Sequence, residues 1–218
     1  MGQKVNPTGF RLGSYQTWKS TWYADPQHYS ETMLEDHKLR KFLNQKLAGA
    51  GVVQVSIERS LTMITVVLHV ARPGVVIGKG GANLEVIKKD IERILNVAKK
   101  KKDKVKIDIR VQEVKKPDLS AKLVAERIVD QLIKRYPHRR AVSQAIEKVM
   151  AAGAKGVKIA LAGRIGGAEI GRTEKYFEGK VPTQTLRANI DYFEVPARTR
   201  SGYVGIKVWI NKGEAIAN

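Results

Sequence analysis

The segment Arg72-Pro73-Gly74-Val75-Val76-Ile77-Gly78-Lys79-Gly80-Gly81 constrains this chain more than any other. It predicts a strand end, a glycine turn and a helix start. Within it, Gly78-Lys79-Gly80-Gly81 has the form Gly-x-x-Gly and stands between apolar residues. A loop without bulky side chains lets a sugar–phosphate backbone come close to the peptide backbone. The N–H groups of the following helix then face the phosphates. Other phosphate-binding glycine motifs fail on spacing. A P-loop continues into Gly-Lys-Ser/Thr, but Lys79 is followed by Gly80. A dinucleotide fingerprint requires a small residue three places after Gly80, where Asn83 stands. The tetrapeptide alone fits an ordinary strand–helix turn equally well, so its surroundings decide.

Those surroundings have a definite order. Leu34 to Leu47 predicts a helix with Leu39, Phe42, Leu43 and Leu47 inward. Val53, Val55 and Ile57 alternate with polar residues as a strand does. Thr62 to Ala71 is a second, β-branched strand, joined to the first by Glu58-Arg59-Ser60-Leu61. After the glycines, Leu84, Ile87, Ile91, Ile94 and Leu95 recur at helical spacing. Val105, Ile107, Ile109 and Val111 then alternate with polar residues, which predicts an antiparallel strand with one solvated face. Helix, strand, strand, Gly-x-x-Gly, helix, strand resembles a type II KH domain, a fold that clamps about four nucleotides of single-stranded RNA. On that resemblance Arg72, Gly78, Lys79, Gly80 and Gly81 are expected at the RNA backbone.

Composition agrees with a polyanionic partner. Of 218 residues, 40 are Lys or Arg and 21 are Asp or Glu, a formal charge of +19. Such an imbalance repels itself unless a polyanion neutralises it. Nucleic acid is the first choice and an anionic membrane the second. The membrane reading needs a long apolar run or a basic amphipathic helix, and neither is evident. The start resembles a myristoylation signal only superficially, because Asn6 stands where Ser or Thr is needed. No apolar signal-peptide core is evident. With no cysteine, disulfides and cysteine-ligated zinc are excluded, and a reducing compartment is consistent. The length suits two modest cores.

The basic residues cluster. Lys99-Lys100-Lys101-Lys102 lies before the last KH strand and is either a solvated connection or an RNA contact. A second cluster is Lys134-Arg135-Tyr136-Pro137-His138-Arg139-Arg140. Residues 1–23 carry Lys4, Arg11 and Lys19 with Phe10, Tyr15, Trp18, Trp22 and Tyr23, and no acid. Basic residues interleaved with aromatics suit a tail that orders on RNA; the tryptophans equally suit capping a core, and the two are compatible. Lys4 and Arg11 are the RNA contacts expected there.

Pro117 cannot continue a sheet and Asp118 is a good N-cap, so a new domain is expected to start there. Leu119 to Tyr136 and His138 to Ala152 predict two helices, ended by Pro137 and Gly153. Strands are predicted around Val157–Leu161, Leu186–Tyr192 and Ile206–Ile210. The glycine-rich stretch Gly163–Arg172 either brings Arg164 and Arg172 to phosphate or forms a twisted hairpin with solvent-facing arginines. The expected fold class is α+β. A tail (1–23) precedes a type II KH domain (24–116). A second α+β domain of two helices on a mainly antiparallel sheet (117–214) and a short end (215–218) follow.

Motifs spread along the chain carry a wider resemblance. They include Met1-Gly2-Gln3-Lys4-Val5-Asn6-Pro7, Ala71–Gly74 with Val76–Lys79, and Gly163-Arg164 with Gly166–Ile170. Glu178-Gly179, Thr185–Ala188, Lys207–Ile210 and Lys212–Glu214 continue it. With these the sequence resembles the bacterial-type small ribosomal subunit protein three family over essentially its whole length. The resemblance implies a structural component of the subunit head, bound to small-subunit ribosomal RNA beside the mRNA entrance. It implies proteins ten and fourteen as neighbours, with two, four and five nearby. It implies a cytoplasmic location in the ribosome, a plastid ribosome being compatible. It also implies that Arg139 and Arg140 meet incoming mRNA. The family's third basic position there is Ser143 in this chain, its second loop lysine is Gly80, and the chain ends soon after Glu214.

An enzyme acting on nucleic acid is the main alternative. Hydrolytic metal chemistry needs clustered carboxylates or histidines, yet His28, His37, His69 and His138 are scattered. No Walker motif is present, so no catalytic residue, metal or cofactor is expected. A free KH regulator of messages is the third reading, but it leaves the second domain unexplained.

Overall fold

The computed structural model describes residues 3–60, 62–95 and 106–214. The lysine run at 99–102 and Val105 lie outside them. The described residues form two compact units, one within 18–115 and one joining 3–17 to 116–214. The expected independent tail of 1–23 is therefore divided. Its first part belongs with the C-terminal unit and Trp18–Tyr23 with the KH unit.

In the KH unit, β1 (Ser20–Thr21) precedes α2 (Pro26–Lys46), which follows the short α1 (Pro7–Arg11) of the other unit. Next come β2 (Val52–Arg59), β3 (Met63–Val70), α3 (Pro73–Ile77), α4 (Ala82–Ile94) and β4 (Lys106–Glu113). The sheet order is β1-β2-β3-β4. β2 and β3 are antiparallel, with Ile57 opposite Val66 and Val55 opposite Leu68. β4 pairs parallel with β3, not antiparallel as its alternation suggested. The cause is the route of the chain. α3 and α4 carry it back across the sheet before β4 begins, and a crossover of this kind returns a strand parallel.

Leu39 and Leu43 of α2, Ile87 and Ile91 of α4, and Ile57, Val66, Leu68 and Ile107 of the strands meet in one core. Each fully buried aliphatic side chain contributes about 1.5–3 kcal/mol. Asp36 of α2 is buried too. It accepts from Trp22 Nε1 at 2.8 Å, Ser20 Oγ at 3.1 Å and Arg59 Nε at 2.9 Å. Arg59 also pairs with Glu35 at 2.9 Å. This network ties Ser20–Trp22 to the domain, so Trp22 serves the fold.

The C-terminal unit comprises α1, α5 (Ala121–Ile133), α6 (His138–Ala151), β5 (Gly156–Gly163), β6 (Arg172–Gly179), β7 (Ala188–Thr199) and β8 (Gly202–Glu214). Its sheet, ordered β6-β5-β8-β7, is antiparallel throughout. Val124 and Ile128 of α5 and Val142 and Val149 of α6 pack on Ile159, Leu161, Ile206 and Val208. Asp118 does not cap α5; it pairs with Arg127 at 2.7 Å. The amide of Ala121 instead donates to Asp191 Oδ2 of β7 at 3.2 Å. β6 is an element the sequence pattern did not reveal. Its residues are mostly exposed, and among the described residues it pairs only with β5, as an edge strand does.

Candidate nucleic-acid interface

In the KH unit the glycine loop joins two helices, since α3 precedes it where only a strand end was expected. Gly78 ends α3, and its amide donates to the Gly74 carbonyl at 2.9 Å. Gly78, Gly80 and Gly81 have φ of 72°, 61° and 81°. Three left-handed residues in four are accessible only to glycine at low cost. A Cβ on Gly78 would also lie 2.8 Å from Asn83 Cβ. Asn83, the residue that excludes a dinucleotide fingerprint, donates Nδ2–H to the Val75 carbonyl at 2.9 Å and fixes the loop against α3. Lys79 is exposed and makes no ion pair among the described residues. Val75, Ile77 and Val86 remain 40–49% exposed on the two flanking helices. Bare backbone, one free ammonium and adjoining apolar side chains suit a phosphate backbone with its bases turned onto the protein. Arg72 is exposed at the start of α3, its amide held by the Ala50 carbonyl at 3.0 Å.

In the C-terminal unit, Arg139 and Arg140 are exposed in the first turn of α6. The helix dipole there favours anions, so two guanidiniums beside it reinforce an anion-attracting field. Nothing in the sequence signals that Glu174 of β6 comes against the start of this helix. Glu174 binds Arg172 Nε at 2.7 Å and lies 3.2 Å from His138 Nε2. The Tyr176 hydroxyl donates to it, and this bond, with His138 and Arg172, holds the Glu174 carboxyl below the usual glutamate range. Arg139 stands beside the Tyr176 hydroxyl. Ser143 is exposed on the same helix, one turn beyond Arg139 and Arg140.

Arg164 Nε donates to the Ala168 carbonyl at 2.8 Å, clasping its own turn between β5 and β6. Arg164 and Arg172 thus sit in the β5–β6 hairpin, and both remain exposed. Lys4 is exposed and close enough to Lys158 to act on it. Burial first, then Lys4 and Lys175, pushes the Lys158 ammonium below the usual lysine range.

Arg11 is not an RNA contact. It is fully buried. Its guanidinium donates to the carbonyls of Ala188 (2.7 Å), Pro7 (2.9 Å), Thr185 (2.8 Å) and Thr183 (3.1 Å). Burial lowers its pKa. The charge in the tail that appeared available to phosphate is consumed in fastening α1 to β7.

The structure thus gathers Arg139, Arg164 and Arg172 within the C-terminal unit and Arg72 with the glycine loop in the KH unit. Arg198 and Arg200, at the end of β7, are exposed cations that sequence reasoning passed over. The one signal for them was a pair of arginines spaced by two just before Ser201-Gly202. Among the described residues no group of three or more His, Asp or Glu is arranged to hold a metal ion. No helix among them is long and apolar enough to cross a membrane.

Comparison with known proteins accounts for both units. Residues 38–119 match the KH domain family model, and residues 128–210 match that of ribosomal protein S3, C-terminal domain. The chain is 47% identical to small ribosomal subunit protein uS3 of Desulforamulus reducens over 216 residues, 99% of this chain and 94% of that protein. It is 48% identical to its counterpart from Lactobacillus johnsonii over 99% and 93% of the two chains. For Clostridium acetobutylicum the figures are 47%, 99% and 94%. The chain therefore belongs to the small ribosomal subunit protein uS3 family, and is a ribosomal protein with a KH domain rather than an enzyme.

Proposed function

We propose that this protein binds small-subunit ribosomal RNA in the subunit head and lines the mRNA entrance, where Arg139 and Arg140 contact incoming message. The observation that carries the mRNA reading is the exposed pair of guanidiniums in the first turn of α6, with the carboxylate beside the helix start, Glu174, already engaged by Arg172 and Tyr176. Guanidinium forks match phosphate oxygens and do not deprotonate. The pair grips the RNA backbone without reading sequence, and a strand held there resists re-forming a hairpin. Ribosomal RNA is held by the glycine loop and Arg72, with Arg164, Arg172 and Lys4 contributing from the C-terminal unit. Small-subunit proteins ten and fourteen, with two, four and five nearby, are its neighbours in this reading, and the cytoplasmic ribosome is its location.

Ser143 stands where the family carries a third basic residue, so the grip is weaker here than in relatives with the full set. Ribosomes carrying Arg139→Ala/Arg140→Ala should assemble normally and translate unstructured messages at the parental rate. They should slow on a message with a strong hairpin. Ser143→Lys should speed passage through the same hairpin. If both variants keep the parental ratio of structured to unstructured translation, the mRNA role is wrong.

A further inference from the structure

A cleft of about 590 Å³ opens in the C-terminal unit, between the α5–α6 junction, the β5–β6 turn and the β7–β8 turn. Four arginines line it: Arg135, Arg164, Arg198 and Arg200. No acidic side chain does so among the described residues. Arg135, Arg198 and Arg200 are exposed and make no ion pair or side-chain hydrogen bond among the described residues. Ile165 and Val204 are buried at its wall, while Ile133 and Tyr136 stay 51% and 38% exposed beside it.

The backbone supplies a second, independent observation. α5 and α6 end in the same way. After α6 the amide of Gly153 donates to Met150 and that of Ala154 to Val149. After α5 the amide of Arg135 donates to Leu132 and that of Tyr136 to Gln131. Both are Schellman motifs, whose key residue is left-handed and usually glycine. At the end of α6 it is Gly153, with φ 97°. At the end of α5 it is Arg135, with φ 58°, the one non-glycine residue of positive φ among those described. The strained conformation turns Arg135 and Tyr136 to the cleft, where glycine would give a relaxed turn and no charge. Strain of this kind persists only where the surrounding structure enforces it, and it clusters at functional sites.

We propose that this cleft receives a single unpaired nucleotide of RNA, its base against Tyr136 and Ile133 and its flanking phosphates on the four arginines. The proposal rests on the RNA-binding reading above and deepens it. The cleft lies within the size range of small-ligand sites, roughly 300–1,000 Å³. Guanidinium forks without a competing carboxylate select phosphate. An aromatic and apolar wall beside them offers a base a surface to stack on. A duplex keeps its bases paired and offers only phosphate, so it cannot use that wall.

The test uses the full chain and two labelled RNA hairpins, identical except that one carries a single bulged adenosine. The parent should bind the bulged hairpin about tenfold more tightly, the scale of one base stack. Arg198→Ala/Arg200→Ala and Tyr136→Ala should bring the two affinities together, while Tyr136→Phe should keep the preference. Arg135→Gly is the decisive variant. It should raise the thermal midpoint by relieving the left-handed strain and still lose the preference, so unfolding cannot explain the loss. Equal binding of the two hairpins by the parent, a preference that survives both Arg135→Gly and Arg198→Ala/Arg200→Ala, or a lowered midpoint in Arg135→Gly would overturn the proposal. Removal of the preference by ATP would reassign the cleft to a free nucleotide, and by poly-glutamate to an acidic peptide; either outcome overturns it. If the parent bound neither hairpin, the RNA reading itself would fall and the cleft with it.

Discussion

Arg11 places a cation where every hydrogen-bond acceptor it meets is a main-chain carbonyl. Its planar fork serves several acceptors at once, which a lysine ammonium cannot reproduce in one geometry. Truncation leaves carbonyls of Ala188, Thr183 and Thr185 without this donor and removes the tie to α1. Arg11→Ala is expected to destabilise the C-terminal unit by about 2–3 kcal/mol, the scale of lost charge-assisted bonds with acceptors left behind. Arg11→Lys should fall between the two. Urea denaturation reads both, and a midpoint unchanged in Arg11→Ala would show the guanidinium to be dispensable. Affinity of the KH unit for single-stranded RNA should be untouched, because Arg11 belongs to the other unit. From sequence alone Arg11 and Lys4 were equivalent cations. Only the folded chain separates them, since burial depends on Ala188, 177 residues away in the chain.

At the scale of the element, the α3–loop–α4 hairpin and the α6 N-terminus make separate predictions. Lys79→Asp/Gly80→Asp places two carboxylates where phosphate must approach and puts a side chain on a residue of φ 61°. In the unit Trp18–Lys115, which has its own core, RNA affinity should fall at least tenfold while the circular dichroism spectrum stays parental. Retained affinity would remove the loop from the interface. Beside α6, Glu174 is an acid whose folded-state pKa is depressed, first by Tyr176 and then by His138 and Arg172. Its contribution to stability is full above the unfolded glutamate value, about 4.3, and is lost as pH falls through the lower folded value. Glu174→Gln should therefore melt below the parent at pH 7, and the gap should close toward pH 3. A gap that widened on acidification would contradict the assignment. β6, which carries Glu174, escaped the sequence pattern because an exposed edge strand needs no apolar alternation. Without β6 in view, the acid beside the α6 N-terminus could not be identified.

Across the whole molecule, a formal charge of +19 makes counterion release the dominant part of RNA affinity. Log affinity for a single-stranded RNA should fall linearly with log salt, with a slope of about −0.7 for each phosphate engaged. Replacing Arg198 and Arg200 by Ala should make the slope shallower by about 1.4 if each meets one phosphate. A slope near zero in the parent would mean that the charge is not directed at a polyanion.

Patterns local in sequence determined much of this protein: the amphipathic helices, the alternating core strands, the Gly-x-x-Gly turn, the α+β class and the basic character of the surface. Each depends on residues a few positions apart, whose spacing is set by the helix or strand period itself. The parallel direction of β4 was also within reach, since an intervening pair of helices implies a crossover. Other features depended on residues far apart in the chain. The division of the tail between two units depended on Arg11 meeting Ala188 and Trp22 meeting Asp36. Capping of α5 depended on Asp191 from β7. The assembly of Arg135, Arg164, Arg198 and Arg200 around one cleft depended on three turns that packing brings together. Charge in a sequence records only how many cations a chain carries. Which of them are buried, paired or left facing a cavity is decided by tertiary packing, because desolvation and pairing act through space rather than along the chain.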